Sequence, residues 1–141
     1  LTLTNSTVSG NTAQVGGGIY NESTLVLTNS LIDGECFGPN ASGGYNIESP
    51  GNTCGFDQPT DQVNVTPEQL NLRPLEDNGG PTMTHALGEG SVAIDVIPEG
   101  DCVDADGQPL LTDQRREPRP VAIVGPEPKC DIGAFEVQGN E

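Results

Sequence analysis

Short stretches of the chain alternate hydrophobic with polar residues. Leu1 and Leu3 are each followed by threonine, and the spacing of two recurs at Leu25 and Leu27. A period of two is typical of β-strands that bury one face and expose the other to water. No window shows a convincing helical period, and only one turn, capped by Thr66, is predicted to be helical. The pattern therefore predicts short strands joined by turns.

One segment occurs twice. The sequence LTNSTVSG of residues 3–10 returns as LTNSLIDG in residues 27–34, a shift of 24 residues (27 − 3 = 24). Self-similarity at a fixed period indicates a repeat architecture, because one short unit cannot bury its own hydrophobic face and must stack on a neighbour. Strand-like units of this period are typical of a parallel β-helix. We predict an all-β protein in which residues 1–56 form about two to three coils of a right-handed parallel β-helix.

Stacking places equivalent residues of successive coils above one another. Asn5 is expected below Asn29, with the two amides hydrogen-bonded along the stack. The glycines of residues 16–18 are expected to form a tight corner. Residues 43–47 resemble residues 17–21 in sequence, so they are interpreted as part of a third, degraded copy.

The remainder of the chain is predicted to end the solenoid. Residues 57–74 are interpreted as a linker, and residues 75–141 as a loop-rich, disulfide-stapled β capping module. A solenoid needs a terminal unit that covers its last coil. Two strand candidates in this module, residues 91–96 and 132–137, are predicted to close over that coil.

The four cysteines fall into two separated pairs. Cys36 and Cys54 bracket a loop rich in Gly, Asn and Pro, and Cys102 and Cys130 bracket the last irregular segment. Zinc sites usually place cysteines closer together, so disulfides are the better interpretation. Four cysteines allow three connectivities, and the spacing favours sequential pairing. Disulfides predict an oxidising, extracellular or cell-surface location.

The net charge of the chain limits the classes of molecule that it is expected to bind. Five basic residues stand against 21 acidic ones, for a formal net charge of −16. This charge argues against nucleic acid and anionic membranes, which carry the same sign. No hydrophobic run is long enough to cross a bilayer, so no membrane insertion is predicted. The predicted partners are other copies of the chain or upstream β-helix coils, with surface glycans or proteins as further candidates.

One acidic loop is a candidate cation-binding site. Asp104 and Asp106 alternate with other residues before Gly107, and Asp113 follows. Alternating carboxylates before a glycine are typical of calcium loops. The match is imperfect, because Cys102 occupies the first loop position, and a solvated acidic turn is the alternative. Calcium is the single cofactor that the sequence suggests, and no catalytic residue is predicted.

Three of the five basic residues lie close together in the last third of the chain. We expect one of Arg115, Arg116 and Arg119 to clamp a carboxylate inside the capping module, since the guanidinium fork suits bidentate pairing. The predicted structural ion pairs involve Arg115 with Asp131 and Glu136, and Asp95 is a further candidate partner. His85, the single histidine, is expected to be hydrogen-bonded and structural.

The second half of the chain carries an ordered series of motifs. They are LEDNGGPTMTHAL in residues 75–87, GSVAID in 90–95, DQRREPRP in 113–120 and CDIGAFE in 130–136. This series resembles the carboxy-terminal module of bacterial and archaeal choice-of-anchor Q proteins, which often have CSLREA-type amino termini. The amino-terminal repeats are similar to those of polymorphic outer membrane proteins. The resemblance implies a secreted or surface-exposed protein, without indicating an activity. Val92 and Arg116 depart from the residues that are usual in the family.

Two functions from different classes follow. In the first, the chain is a non-enzymatic structural or adhesive β-solenoid. Its first strand has an unpaired edge, which is expected to pair with another strand and to support filaments. The edge residues are Leu1, Thr2, Leu3 and Thr4. In the second, it is a carbohydrate-active module that binds or cleaves glycans. Residues 1–47 contain no Arg or Lys, which argues against a lyase. A two-carboxylate glycosidase would need two carboxylates on one face, and Asp33, Glu35 and Glu48 are the candidates. The first function is preferred.

Overall fold

The computed structural model describes residues 1–139, and short strands make up most of its regular structure. Residues 140 and 141 of the predicted capping module lie outside the described part. The first 49 residues contain eight strands, which together we call the strand stack. They are β1 (Thr2–Thr4), β2 (Thr7–Val8), β3 (Ile19–Tyr20), β4 (Leu25–Thr28), β5 (Leu31–Asp33), β6 (Cys36–Phe37), β7 (Asn40–Ser42) and β8 (Ile47–Ser49).

The strand stack consists of three parallel sheets, with the orders β1-β4-β7, β2-β5-β8 and β3-β6. We call β1–β3, β4–β6 and β7–β8 the first, second and third strand sets. Leu3 pairs with Leu27 and Thr7 pairs with Leu31, so the 24-residue repeat in the sequence is the register of β1 with β4 and of β2 with β5. Equivalent residues therefore lie side by side on neighbouring strands. The predictions of an all-β chain and of parallel pairing between the repeats are confirmed.

The interpretation of residues 43–47 as a copy of residues 17–21 is wrong. Tyr20 pairs with Phe37 in the third sheet, and the third strand set follows the second after only 15 residues, since Leu27 pairs with Ser42. The step is shorter because residues 34–35 alone connect β5 to β6, where residues 9–18 connect β2 to β3. Tyr45 instead has a positive φ (56°), as do the bend residues Asn5 (49°) and Asn29 (56°).

Consecutive residues of the middle sheet, β2-β5-β8, enter two different hydrophobic cores. Leu31 and Ile32 in β5 are both fully buried, and neighbouring residues of a strand point to opposite faces. Ile32 packs inside the strand stack with Leu25, Leu27, Cys36, Cys54 and Phe56. Leu31 and Ile47 pack on the other face against residues that follow the stack, among them Val65, Leu70, Ala93, Ile97, Ile132 and Phe135.

The chain beyond the stack has little regular structure. Its elements are α1 (Pro67–Leu70), β9 (Leu72–Glu76), β10 (Thr84–Leu87), β11 (Ile97–Pro98), a 3₁₀ turn (Glu99–Asp101) and β12 (Lys129–Cys130). β9 pairs with β10 and β11 with β12, both antiparallel. The predicted helical turn is confirmed, and Thr66 and Gln69 form a reciprocal capping box around it.

The C-terminal module, which we define as residues 75–139, packs along the side of the strand stack. The Gly133 amide donates to the Asn29 carbonyl (3.0 Å), and the Ala134 amide donates to Thr7 Oγ1 (2.9 Å). These contacts reach the first and the second strand set, and the buried Ile47 extends the contact to the third. The prediction that the module closes over the last coil is therefore wrong. Its apolar residues cover the outer face of the middle sheet, which the strand pattern alone leaves exposed.

A different segment covers the end of the stack. The Gln62 amide donates to the Asn46 carbonyl (2.8 Å), the Glu48 amide donates to the Gln62 carbonyl (2.9 Å), and Ile47 and Gln62 form a parallel bridge. Part of the predicted linker, residues 57–74, thus extends the middle sheet by one more short contact. The predicted domain boundaries themselves stay predictions.

The two strand candidates of the module are not strands. Residues 91–96 form turns, and residues 132–137 are irregular. Asp95 has a φ of +55° and Gly133 a φ of +101°, and neither value is compatible with an extended strand.

Gly133 lies so close to the stack that a side chain there would clash. A Cβ at this position would stand 2.5 Å from Thr7 Oγ1, and its φ is strained for any other residue. We expect Gly133→Ala to lower the free energy of unfolding by about 2 kcal/mol, measured by urea denaturation. The matched change Gly100→Ala, where no atom lies within 4 Å of the added Cβ, should be nearly neutral. Equal effects of the two changes would contradict the close packing.

Candidate assembly edge

The first strand set ends each of the three parallel sheets. β1 pairs with β4, β2 with β5 and β3 with β6, and no strand of residues 1–139 pairs with their other sides. We call these three unpaired sides the open edge. Because β1, β2 and β3 belong to one strand set, their unpaired sides lie at the same end of the stack. The predicted edge residues Leu1, Thr2, Leu3 and Thr4 lie in or beside β1.

The hydrogen bonds of β1 show which backbone groups face the open edge. The Leu1 carbonyl accepts from Val26 N and the Asn5 amide donates to Thr28 O, both at 3.1 Å. Backbone groups alternate in direction along a strand. The N–H and C=O groups of Thr2 therefore point away from β4, toward the open edge.

The open edge lacks charge and proline, two of the features that protect edge strands from pairing. Residues 1–21, which contain all three edge strands, include no Asp, Glu, Lys, Arg or Pro, although the chain as a whole carries a net charge of −16. Edge strands of soluble proteins are commonly protected by charged residues or proline. This uncharged segment is a signal that could have been read from the sequence.

An aromatic stack lies on the outside of the third sheet. The rings of Tyr20 and Phe37 are nearly parallel, with 12° between their planes and 4.9 Å between their centroids. They are 55% and 48% exposed. The hydrogen bond that Tyr20 donates to Glu22 (2.8 Å) raises the pKa of the tyrosine. Phe37 covers one ring face of Tyr20, so the other face lies on the side of the open edge.

The asparagines of the predicted ladder occupy the predicted positions, but they do not form the predicted hydrogen bond. Asn5 and Asn29 occupy equivalent bends, yet their amides do not bond to each other. Asn5 Nδ2 donates to the Val103 carbonyl and Asn29 Nδ2 to the Asp101 carbonyl, both at 3.1 Å. Asparagine suits these positions, because it tolerates the positive φ and its amide reaches the C-terminal module. The repeated asparagines therefore attach the module to the stack.

Two buried arginines hold the C-terminal module together. Arg115 forms an ion pair with Asp113 (3.0 Å), and Arg119 forms one with Glu136 (3.1 Å). Arg119, one of the three candidate arginines, thus holds Glu136, whereas Arg115, the predicted partner of Asp131 and Glu136, forms its ion pair with Asp113. Arg115 contacts Glu136 through its backbone carbonyl (2.7 Å), and the third predicted candidate, Arg116, is exposed.

Asp131 is buried beside these ion pairs but is held mainly by the backbone. Its carboxylate accepts from the amides of Asp95 (2.8 Å) and Val137 (2.7 Å). Burial raises the pKa of Asp131 to about 6, against the lowering effect of these two bonds. Burial, and then repulsion from Asp131, raise the pKa of Glu136 to about 7, although Arg119 opposes the shift. Burial is thus the main cause of both raised pKa values.

Both disulfides connect the cysteines in sequential order, as predicted. Cys36 is bonded to Cys54, which ties β6 to the segment at the end of the stack. Cys102 is bonded to Cys130, which ties the 3₁₀ turn to β12. Two disulfides indicate an oxidising, extracellular or periplasmic setting.

The residues of the predicted calcium site do not come together. Asp104 Oδ1 accepts from the amides of Asp106 (2.9 Å) and Gln108 (3.0 Å), which makes a local turn. The Asp113 carboxylate is buried in its ion pair with Arg115. Within residues 1–139, no group of three or more His, Cys, Asp and Glu side chains is arranged to hold a metal ion. The solvated acidic turn is the better interpretation of Asp104 and Asp106.

The carboxylates of the glycosidase alternative do not form a catalytic pair. Glu48 is fully buried and accepts from the amides of Thr53 and Cys54 (2.7 Å each), so it fixes the end of the stack. Asp33 accepts from Ser9 (2.7 Å), and Glu35 is exposed. Asp33 and Glu48 stand one position out of register and point to opposite faces of the middle sheet. No pattern in the sequence indicated the structural role of Glu48.

No family model matches the chain, and neither a curated protein nor a solved structure is significantly similar to it. The resemblance to choice-of-anchor Q proteins therefore stays a prediction that rests on its motifs. None of the helices described in residues 1–139 is long and apolar enough to span a membrane.

The raised pKa values predict that stability falls as the pH rises. Asp131 and Glu136 have ordinary pKa values of 3.8 and 4.5, below their folded values of about 6 and about 7. The folded chain therefore binds more protons than the unfolded chain between about pH 4 and pH 7. The free energy of unfolding should decrease across this window and level off above it.

Urea unfolding at about pH 5 and about pH 8 tests this expectation. The measurements should be made at high salt concentration, because salt screens the repulsion among exposed carboxylates much more than it affects the buried pair. Stability that is constant or greater at the higher pH would contradict the raised pKa values.

Proposed function

We propose that the chain is a non-enzymatic, extracellular structural or adhesive module that assembles through its open edge. In this proposal the strand stack is part of a right-handed parallel β-helix of about three coils. The observation that carries the proposal is the composition of the edge strands, which combine unpaired backbone groups with a complete lack of charge and proline.

The stack offers a matching surface to an incoming strand set. The second strand set pairs with the first over all three sheets, in a register that keeps Thr4 beside Thr28. A further set of the same orientation would meet the same pattern of donors and acceptors at the open edge. The set can come from upstream coils of the same polypeptide or from another copy of the chain.

Side chains at the open edge also favour pairing with a further strand set. Leu1 is 84% exposed, and one face of the Tyr20 ring is uncovered. A neighbouring strand set would bury both, as Phe37 already covers the other face of that ring. Hydrophobic burial would then add to the backbone hydrogen bonds. The high negative charge of the rest of the surface opposes other, non-specific contacts.

A cell-surface location is part of the proposal. The two disulfides support an oxidising compartment, and the motifs of residues 75–136 resemble those of choice-of-anchor Q surface proteins. Head-to-tail pairing of strand sets would be heterologous and would lengthen into filaments.

Thr2 allows a specific test, because its backbone faces the open edge. Thr2→Lys places a charge on the edge and should abolish concentration-dependent association, as charged residues do on natural edge strands. Thr12→Lys is the matched control, since Thr12 is also exposed but lies outside the strands. Sedimentation velocity across a wide concentration range measures the association of the wild type and both variants.

The wild type and Thr12→Lys are expected to form larger species as the concentration rises, and Thr2→Lys is expected to remain monomeric. A wild type that stays monomeric up to its solubility limit contradicts self-assembly through the edge. Equal association of both lysine variants places the contact elsewhere on the molecule.

A further inference from the structure

A cleft of about 310 Å³ lies where the strand stack meets the β9–β10 hairpin. We call it the junction cleft. Asn11, from the loop after β2, lines one side, and Leu75, Met83 and His85 of the hairpin line the other. Gln114 and Phe135 of the C-terminal module also line it, as do Thr7, Val8 and Ser9 in and after β2. Its volume is at the lower end of the range of small-molecule sites, about 300–1,000 Å³.

Three polar groups in the junction cleft are open to a ligand. His85 Nδ1 lies 2.9 Å from the Arg73 carbonyl, which can only accept, so the Nδ1–H donates and Nε2 keeps its lone pair in the neutral ring. Gln114 Nε2 donates to Thr82 Oγ1 (2.8 Å) and to the Met83 carbonyl (3.3 Å), which orients Oε1 as an acceptor. Among residues 1–139, nothing bonds to His85 Nε2, Gln114 Oε1 or the Asn11 amide.

Apolar side chains stand beside these polar groups. Leu75 and Met83 are 53% and 52% exposed and line the cleft together. Phe135 is buried beneath them, and the Arg115 guanidinium lies 3.8 Å from its ring centroid, which fixes the ring. The cleft therefore offers both hydrogen-bonding groups and an apolar wall.

The lining of the junction cleft carries no fixed charge. None of its residues is Asp, Glu, Lys or Arg, although 21 of the 141 residues of the chain are acidic. An anionic ligand would find no cation there, and a cationic ligand would find no carboxylate. A charged group brought into such a site would lose water without gaining a partner.

We propose that the junction cleft binds a neutral carbohydrate. Sugar hydroxyls both donate and accept, so they match the Asn11 amide, His85 Nε2 and Gln114 Oε1. The C–H face of a sugar ring matches the apolar wall of Leu75 and Met83. Thr7 and Val8 of the edge strand β2 also line the cleft, so a strand set that pairs with β2 would border the bound sugar.

The single histidine gives this site its own reporter. NMR resonances of the His85 ring can be followed while soluble oligosaccharides of glucose, mannose or galactose are added, with oligogalacturonate as the anionic comparison. A neutral oligosaccharide is expected to shift the His85 resonances in a saturable manner, and oligogalacturonate is expected to bind more weakly.

A matched pair of variants links the shift to the cleft. Asn11→Ala should weaken binding of the same oligosaccharide about tenfold, the usual effect of one lost hydrogen bond. Asn52→Ala, at an exposed asparagine outside the cleft, should bind as the wild type does. Amide spectra of both variants verify that the fold is kept. The proposal is overturned if no neutral oligosaccharide shifts His85, if the anionic one binds more tightly, or if Asn11→Ala binds unchanged.

Discussion

Burial of both faces of the middle sheet is the interaction on which the rest of the structure depends. Its strands are only two or three residues long, and a sheet of such short strands cannot be stable on its own. Ile32 fills the interior of the strand stack, and the adjacent Leu31 fills the core that the stack shares with the C-terminal module. The outer face of the stack and the apolar residues of the C-terminal module therefore complete one shared core.

This constraint explains why polar contacts accompany the packing. Asn5 and Asn29 occupy equivalent bends of successive strand sets and bond to carbonyls of the module, so the repeat of the first half positions the irregular second half. The module has few regular strands, and two buried ion pairs and a disulfide fix its loops instead. With only 4% aromatic residues, the chain relies on these connections where larger proteins rely on extensive cores.

The sequence predicted the features that depend on local pattern. The 24-residue repeat predicted the register of the first two strand sets, and cysteine spacing favoured the observed disulfides. It did not predict the position of the C-terminal module, because Leu31 and Ile32 are both apolar and the pattern does not say what covers each face. The third strand set was misaligned, since the resemblance of GGYN to GGIYN concealed the short β5–β6 connection. The sequence predicted that arginines form ion pairs, but not which carboxylate each one binds. The partners lie in loops, and no periodic pattern predicts the course of a loop.

Native-state hydrogen exchange tests directly whether the stack and the module form one structure. The amides of Leu31 and Ile47 lie in hydrogen bonds of the middle sheet, and those of Ile132 and Gly133 lie in the module that covers it. If both faces must be buried together, these four amides should exchange with the same free energy of opening and the same denaturant dependence. Protection of Leu31 and Ile47 that persists under conditions where Ile132 and Gly133 have exchanged would contradict the account.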